Sequence, residues 1–181
     1  MIYMFCADGV EEVEALATLD ILRRANLAVT TVGIPGKTVS GPHNIRFEAD
    51  ITLSEFEKKE RTAEAVILPG GGVGTETLAN NKTVCDFVKK TAAEGGYLCA
   101  ICAAPSVLGR LGLLSGKKAT CYPGFEQYLR GAEVKTCKVV ADGKFITAKG
   151  MGAATEFGLE IIKALKGADA AEKVGKSIMF L

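Results

Sequence analysis

Short runs of apolar residues alternate along the chain with segments in which apolar positions recur every three or four residues. The runs predict buried β-strands, and the spaced pattern predicts amphipathic helices. Predicted strands cover residues 2–6, 27–34, 65–68, 97–101, 119–121, 134–140 and 144–148, and predicted helices cover 11–25, 54–60, 82–94, 103–111 and 152–167. Residues 39–50 predict a small β excursion, and 168–175 predict one or two more helical turns. Because strands alternate with helices and are continuously apolar, we expect an α/β fold with a mostly parallel sheet covered by helices on both faces.

Length and composition predict one domain spanning residues 1–181. Of the 181 residues, 48% are hydrophobic, which is enough for a sizeable core. The 22 basic and 21 acidic residues nearly cancel, so neither nucleic acid nor a membrane surface is an expected partner. The most apolar stretch, residues 97–109, is shorter than the ~20 residues of a membrane span and contains Pro105. No basic leader precedes the first apolar run, so we expect a cytoplasmic protein.

Six cysteines and a single histidine give little support for a disulfide framework or a metal site. A chain with its own core and no export signal favours reduced thiols. Only Cys99 and Cys102 are closely spaced, and His43 is distant in the sequence, so we expect no zinc and no other cofactor. A dithiol of Cys99 and Cys102 is disfavoured, because three strand residues at ~3.3 Å each exceed the ~7 Å limit for a disulfide.

Ligands and reacting groups in parallel sheets lie at the carboxyl ends of the strands. This rule selects three loops, at residues 7–10, at 70–75 and at Cys102. No linker or repeat separates them, so we expect one site.

Cys102 follows an apolar strand and precedes small residues and Pro105. This pattern is typical of a nucleophile elbow, a sharp turn that lifts one side chain out of the sheet. The positive end of the following helix is expected to favour the thiolate. The alternative is that Cys102 is a small buried apolar residue.

The glycines at 70–72 and 74 lack the Lys-Ser/Thr of a P-loop. Their backbone N–H groups are better suited to approach a reacting oxygen, so the amides of Gly71 and Ala103 predict an oxyanion hole. A plain tight turn is the alternative.

Three glutamates, Glu11, Glu12 and Glu14, crowd the start of the first helix. The helix dipole accounts for two of them. Glu14 shares a face with apolar residues, so we expect it to turn toward the sheet and to have a raised pKa. His43 is interpreted as a solvated loop residue, and Tyr122 either borders the cleft or packs in a turn.

Four segments together resemble the ThiJ/PfpI superfamily, and within it the parkinsonism-associated deglycase branch. They are Gly9-Val10-Glu11-Glu12-Val13-Glu14, Leu68-Pro69-Gly70-Gly71, Ala100-Ile101-Cys102-Ala103-Ala104-Pro105 and the stretch from Lys149 to Gly158. The resemblance implies a flavodoxin-like three-layer sandwich and a homodimer. It also implies a reactive cysteine at Cys102, a protonated partner at Glu14, backbone donors at Gly71 and Ala103, and a pocket that includes Gly70 and Tyr122. Some members carry a histidine where this chain has Tyr122, which argues against a Cys-His pair and a protease.

Two functions are consistent with this resemblance. The first is a glyoxalase or deglycase in which Cys102 attacks methylglyoxal, or the adducts that it forms on proteins, as protection against carbonyl and oxidative stress. The second is a redox-sensing chaperone in which Cys102 is oxidised and Glu14 stabilises the product. The substrate would be a small aldehyde or a glycated molecule. An older family function in thiamine thiazole phosphate synthesis fits less well, because no phosphate or thiazole site is evident.

Overall fold

The computed structural model of the protein describes residues 1–181. Its strands are β1 (Ile2–Ala7), β2 (Val29–Ile34), β3 (Thr38–Ser40), β4 (Arg46–Glu48), β5 (Ile51–Thr52), β6 (Ala65–Leu68), β7 (Tyr97–Ile101), β8 (Lys118–Ala119), β9 (Glu133–Val134), β10 (Val139–Asp142) and β11 (Phe145–Ala148). Its α-helices are α1 (Glu12–Arg24), α2 (Leu53–Glu57), α3 (Gly72–Asn80), α4 (Lys82–Ala93), α5 (Pro105–Arg110), α6 (Ala154–Lys166) and α7 (Ala168–Ser177). None of these helices has the length and apolar character needed to cross a membrane.

Seven strands form the central sheet in the order β10-β11-β7-β6-β1-β2-β5. Every pair is parallel except β10 with β11, which form the hairpin that residues 142 and 143 predict. Two small sheets, β3 with β4 and β8 with β9, lie outside it. The predicted flavodoxin-like α/β fold is confirmed.

Each face of the sheet buries its own apolar cluster. One cluster of 25 residues joins the sheet to α1, α6 and α7, with Phe157 among its largest members. The other, of 22 residues, joins it to α2, α3, α4 and α5, with Phe5 at its centre. The strands are buried on both sides, which explains why they are continuously apolar in the sequence.

Three neighbouring strands end at the same edge of the sheet. The chain leaves β1 toward β2 on one side, whereas β6 and β7 lie on the other. The direction of winding therefore reverses beside β1, and a crevice opens where the strands end at Ala7, Leu68 and Ile101. The prediction that the three loops share one region is confirmed.

The largest error in the predicted elements concerns residues 70–75. They are predicted as a loop, but α3 begins at Gly72 and continues to Asn80. A Cβ at Gly74 would lie 2.8 Å from the backbone nitrogen of Val10, so this glycine permits close packing inside a helix and does not break one. The predicted strand at 134–140 is also divided between β9 and β10, and α7 is a ten-residue helix where one or two turns are expected.

Candidate active site

Cys102 lies directly after β7 with a left-handed backbone, at φ 65°. Only four non-glycine residues of the chain have positive φ. The Cys102 N–H donates to the Ala148 oxygen (2.9 Å), and its carbonyl accepts from the Tyr122 N–H (2.7 Å). These bonds hold a conformation that costs about 1–2 kcal/mol for an L-residue. The predicted elbow geometry is confirmed, and the side chain is half-buried rather than part of the core.

Glu14 is buried, with only 1% of its surface exposed. It lies in the first turn of α1, where its N–H donates to the side chain of the N-cap residue Glu11 over 2.7 Å. Its Oε2 accepts from the Gly70 N–H over 3.0 Å, whereas Oε1 has no partner within hydrogen-bonding geometry. Burial raises the pKa of Glu14 to about 7, although contact with Cys102 opposes the shift. The predicted inward orientation is confirmed, and this burial is the cause of the raised pKa.

The thiol and the carboxyl control each other's protonation. Burial and the adjacent Glu14 raise the pKa of Cys102 to about 12, whereas the backbone N–H groups of Gly71 and Ala103 lower it. The prediction that the helix end favours the thiolate is therefore wrong while Glu14 is ionised, because burial of the sulfur and repulsion from the carboxylate together outweigh the two amides. A thiolate becomes accessible when the proton moves to Glu14, which leaves one charge facing two amides.

Two glycines allow the loops to meet around the sulfur. A Cβ at Gly70 would lie 2.5 Å from the Cys102 Cβ and 2.6 Å from Glu14 Oε2. Gly71 has φ 91°, and a Cβ there would lie 2.2 Å from the Gly9 oxygen. Gly70 therefore lies directly against Cys102 and Glu14, closer than the pocket-lining position expected for it.

Tyr122 borders the same region, and its side chain is half exposed. The ring lies beside Gly150 and lines a cavity of about 440 Å³. Met151 follows Gly150, and its backbone N–H also favours the ionised form of Glu14. The sequence singles out this glycine-containing turn only through the family resemblance, because no residue in it has an obvious chemical role.

Sequence reasoning missed the partnership of Glu12 with His43. Glu12 is buried, and its two oxygens accept from the His43 N–H and contact Nδ1, each at 2.8 Å. The histidine is exposed, as expected, but it is bound rather than free in solvent. Glu12 is therefore a structural anchor for the β3–β4 hairpin, and the helix dipole alone does not explain it.

One group of acidic and imidazole side chains has the spacing of a metal site. Ligand atoms of Glu11, Glu12 and His43 lie within 4.8 Å of one another. The Glu11 side chain already accepts a hydrogen bond from the Glu14 N–H, and both Glu12 oxygens already contact His43. The donors present satisfy this cluster without an ion.

Fold and site together define a flavodoxin-like α/β protein with a cysteine elbow at the point where the winding of its sheet reverses. A buried carboxyl and two backbone N–H groups face the cysteine. The DJ-1/PfpI family model matches residues 1–164, and the chain belongs to this family.

Individual relatives match over nearly the whole chain. Protein dj-1beta of Drosophila melanogaster is 35% identical over 176 residues, which cover 96% of this chain and 93% of the relative. A glutathione-independent glyoxalase of Caenorhabditis elegans is 32% identical and covers 88% of this chain and 85% of its own. The crystal structure of a mutant DJ-1 superfamily protein from Salmonella typhimurium is 34% identical, with a TM-score of 0.92 over 99% of this chain and 98% of its own.

Proposed function

We propose that the protein is a cysteine-dependent glyoxalase that converts methylglyoxal, or the adducts that methylglyoxal forms on proteins, to lactate without glutathione. The observation that carries this proposal is the Cys102 elbow, held against the buried Glu14, whose pKa burial raises. A glutathione-independent glyoxalase among the relatives supports the same chemistry. In the cell such an activity protects against carbonyl and oxidative stress.

In the first step, the Cys102 thiolate attacks the aldehyde carbon of methylglyoxal and forms a thiohemiacetal. The carbonyl oxygen becomes negatively charged during attack, and the N–H groups of Gly71 and Ala103 are suited to stabilise this charge. The thiolate requires that Glu14 hold the proton of the pair. Glu14 then protonates the new oxygen and becomes a carboxylate.

In the second step, the Glu14 carboxylate takes the proton from the former aldehyde carbon and returns it to the neighbouring ketone carbon. The hydroxyl proton on the first carbon's oxygen passes to the former ketone oxygen, so the first carbon is oxidised to a thioester carbonyl and the second is reduced to an alcohol. No external oxidant or reductant is needed. Water then cleaves the thioester and releases lactate and the thiol. A carboxyl with a pKa near the working pH can both donate and accept this proton.

The proposal is tested by measuring lactate formed from methylglyoxal without glutathione. We expect turnover by the wild type and a loss of at least ~100-fold in Cys102→Ser, because removing a nucleophile costs several orders of magnitude. Glu14→Gln is expected to keep the fold and lose turnover. Wild-type rates from Cys102→Ser would exclude the proposal.

A second candidate, a redox sensor with chaperone activity, draws on the raised pKa of Glu14. A carboxyl that stays protonated can donate a hydrogen bond to a Cys102 sulfinate. Intact mass after mild peroxide distinguishes the two functions. Addition of two oxygens at Cys102 in a protein that forms no lactate would favour the sensor.

We also propose that the chain forms a homodimer. Val13 lies on α1, the helix that also carries Glu14, and its side chain is 45% exposed. The family resemblance implies this assembly, and the exposed Val13 is a position on α1 at which a charge can test it. Sedimentation equilibrium of the wild type and of Val13→Glu tests this proposal. We expect a dimer that weakens in the variant, and a monomeric wild type would exclude it.

A further inference from the structure

The cavity of about 440 Å³ at Tyr122 lies next to the Cys102–Glu14 pair. Gly150 lies between the two: a Cβ at this position would be 3.3 Å from the Tyr122 ring and 3.9 Å from Glu14 Oε1. The backbone of one glycine therefore separates the cavity from the buried carboxyl. Tyr122 lines the cavity and donates its N–H to the Cys102 carbonyl over 2.7 Å, so the cavity begins one hydrogen bond away from the elbow.

Two lysines, Lys138 and Lys149, line this cavity, and no acidic side chain does. Lys138 directly precedes β10 and Lys149 directly follows β11. The Lys149 N–H donates to the Lys138 oxygen over 2.9 Å, so the two residues continue the register of the hairpin as an opposed pair. Like charges placed opposite each other across two strands are unfavourable.

Neither of these lysines is paired with a carboxylate. Five of the sixteen lysines of the chain have such partners, namely Lys82, Lys90, Lys135, Lys163 and Lys176. What distinguishes Lys138 and Lys149 among the unpaired lysines is that they lie opposite each other beside one cavity. Lys149 is moreover half-buried, where a charge is less well hydrated than at the surface. An anion in the cavity would offset the repulsion between Lys138 and Lys149 and would give both lysines a charge partner.

We propose that this cavity binds an anionic group, a carboxylate or a phosphate, on the substrate whose aldehyde reacts at Cys102. The inference rests on the proposed function and narrows its substrate class. The preferred substrate is an α-oxoaldehyde, or an adduct of one, that carries an acidic group beyond the reacting carbons. Lys149 is the principal specificity residue, with Lys138 beside it, and Tyr122 forms the wall between the acidic group and the reacting pair.

The test compares two substrates that differ by one charge, phenylglyoxal and 4-carboxyphenylglyoxal. The readout is the ratio of their kcat/KM values in the wild type, Lys149→Gln, Lys149→Arg and a control, Lys58→Gln. Lys58 is exposed at the end of α2, so this control removes the same charge away from the cavity. We expect the wild type to prefer the carboxylated substrate about fivefold, and Lys149→Gln to lose that preference.

Two variants separate a local ion pair from a general field effect, and the salt dependence shows that the preference is electrostatic. Lys149→Arg and Lys58→Gln are expected to retain the preference, and rising ionic strength is expected to weaken it. Benzoate and inorganic phosphate are then compared as competitors, because the stronger inhibitor identifies which acidic group the cavity accepts. A ratio that is the same in the wild type and Lys149→Gln would overturn the proposal.

Binding without turnover distinguishes failure of this inference from failure of the proposed function. In Cys102→Ala no thiohemiacetal forms at residue 102, and adding Cys137→Ser removes the exposed thiol. Calorimetry of this background then measures binding of the two glyoxals without attachment to either of these thiols. We expect at least about fivefold tighter binding of 4-carboxyphenylglyoxal, and equal binding once Lys149→Gln is added. If the wild type turns over neither substrate but the Cys102→Ala background still binds 4-carboxyphenylglyoxal more tightly, the glyoxalase function is excluded and the anion site is supported. Equal affinities in Cys102→Ala would overturn the anion site.

Discussion

The Gly70 N–H donates a hydrogen bond to Glu14 Oε2 over 3.0 Å, and the Gly70 Cα approaches both Glu14 and Cys102 too closely to carry a side chain. The loop after β6 thus fixes the carboxyl through an amide while leaving space for the thiol. A single glycine couples three strand ends, because Glu14 belongs to the helix that follows β1 and Cys102 follows β7.

We predict that Gly70→Ala impairs the site far more than Gly72→Ala, two residues away. A Cβ at Gly70 would meet Cys102 Cβ at 2.5 Å, whereas a Cβ at Gly72 would meet nothing within 4 Å. Overpacking of this kind costs about 1–3 kcal/mol of unfolding free energy, and we expect at least ~10-fold lower lactate formation as well. Urea unfolding and the lactate assay on both variants provide the measurements. Equal behaviour of the two variants would contradict the assigned role of Gly70.

Glu14 makes the stability of the protein depend on pH. Burial raises the pKa of Glu14 from 4.5 to about 7. The folded state therefore binds a proton more tightly than the unfolded state, so this stabilisation is complete below pH 4.5 and is lost as pH rises through about 7. The full loss of unfolding free energy is on the order of 3 kcal/mol.

Glu14→Gln removes this titration and should flatten the corresponding part of the pH profile. We expect the variant to gain stability relative to the wild type between pH 5 and pH 8, measured by urea unfolding at both values. Glu64→Gln, a change of an exposed glutamate, serves as the control. A wild-type minus Glu14→Gln difference that is constant with pH would show that Glu14 titrates normally.

Local patterns predict the sheet and the three converging loops, whereas the pairing of Cys102 with Glu14 is predicted from the family resemblance. Apolar runs define the strands, and the carboxyl ends of parallel strands must lie together. The contact of Glu12 with His43 escapes prediction, since it joins residues 31 positions apart through a hairpin whose path no periodicity reveals. The helix α3 escapes as well, because glycine is read as a helix breaker although Gly74 serves close packing.

The left-handed backbone of Cys102 predicts an unusual stability order among its substitutions. At most positions alanine is more stable than glycine by about 0.5–1 kcal/mol. At φ 65° the alanine Cβ is strained, so Cys102→Gly should be as stable as Cys102→Ala or more stable by about 1 kcal/mol. Urea unfolding of the two variants measures the strain. A clear advantage for alanine would show that the elbow relaxes when the sulfur is removed.

The Glu12–His43 pair should stabilise the protein within a limited pH window. Burial raises the pKa of Glu12, but the hydrogen bonds from His43 outweigh it and hold this pKa below its usual 4.5. The hydrogen bond to Glu12 raises the pKa of His43 above its usual 6.5. The glutamate contribution is present above pH 4.5 and is lost as pH falls through its lowered pKa. The histidine contribution is complete below pH 6.5 and is lost as pH rises through its raised pKa.

The two contributions overlap between pH 4.5 and 6.5. The difference in Tm between the wild type and His43→Ala should therefore be largest in the middle of this window, at about pH 5.5. It should be smaller at about pH 9, where the imidazole is neutral. Thermal unfolding followed by circular dichroism across this range measures it. Asn44→Gly, a neighbouring change in the same hairpin turn that suits its left-handed backbone at φ 62° and keeps both members of the ion pair, should show a difference that does not vary with pH. A His43→Ala difference that is also independent of pH would mean that the imidazole anchors the hairpin without charge, through its hydrogen bond to Glu12 alone.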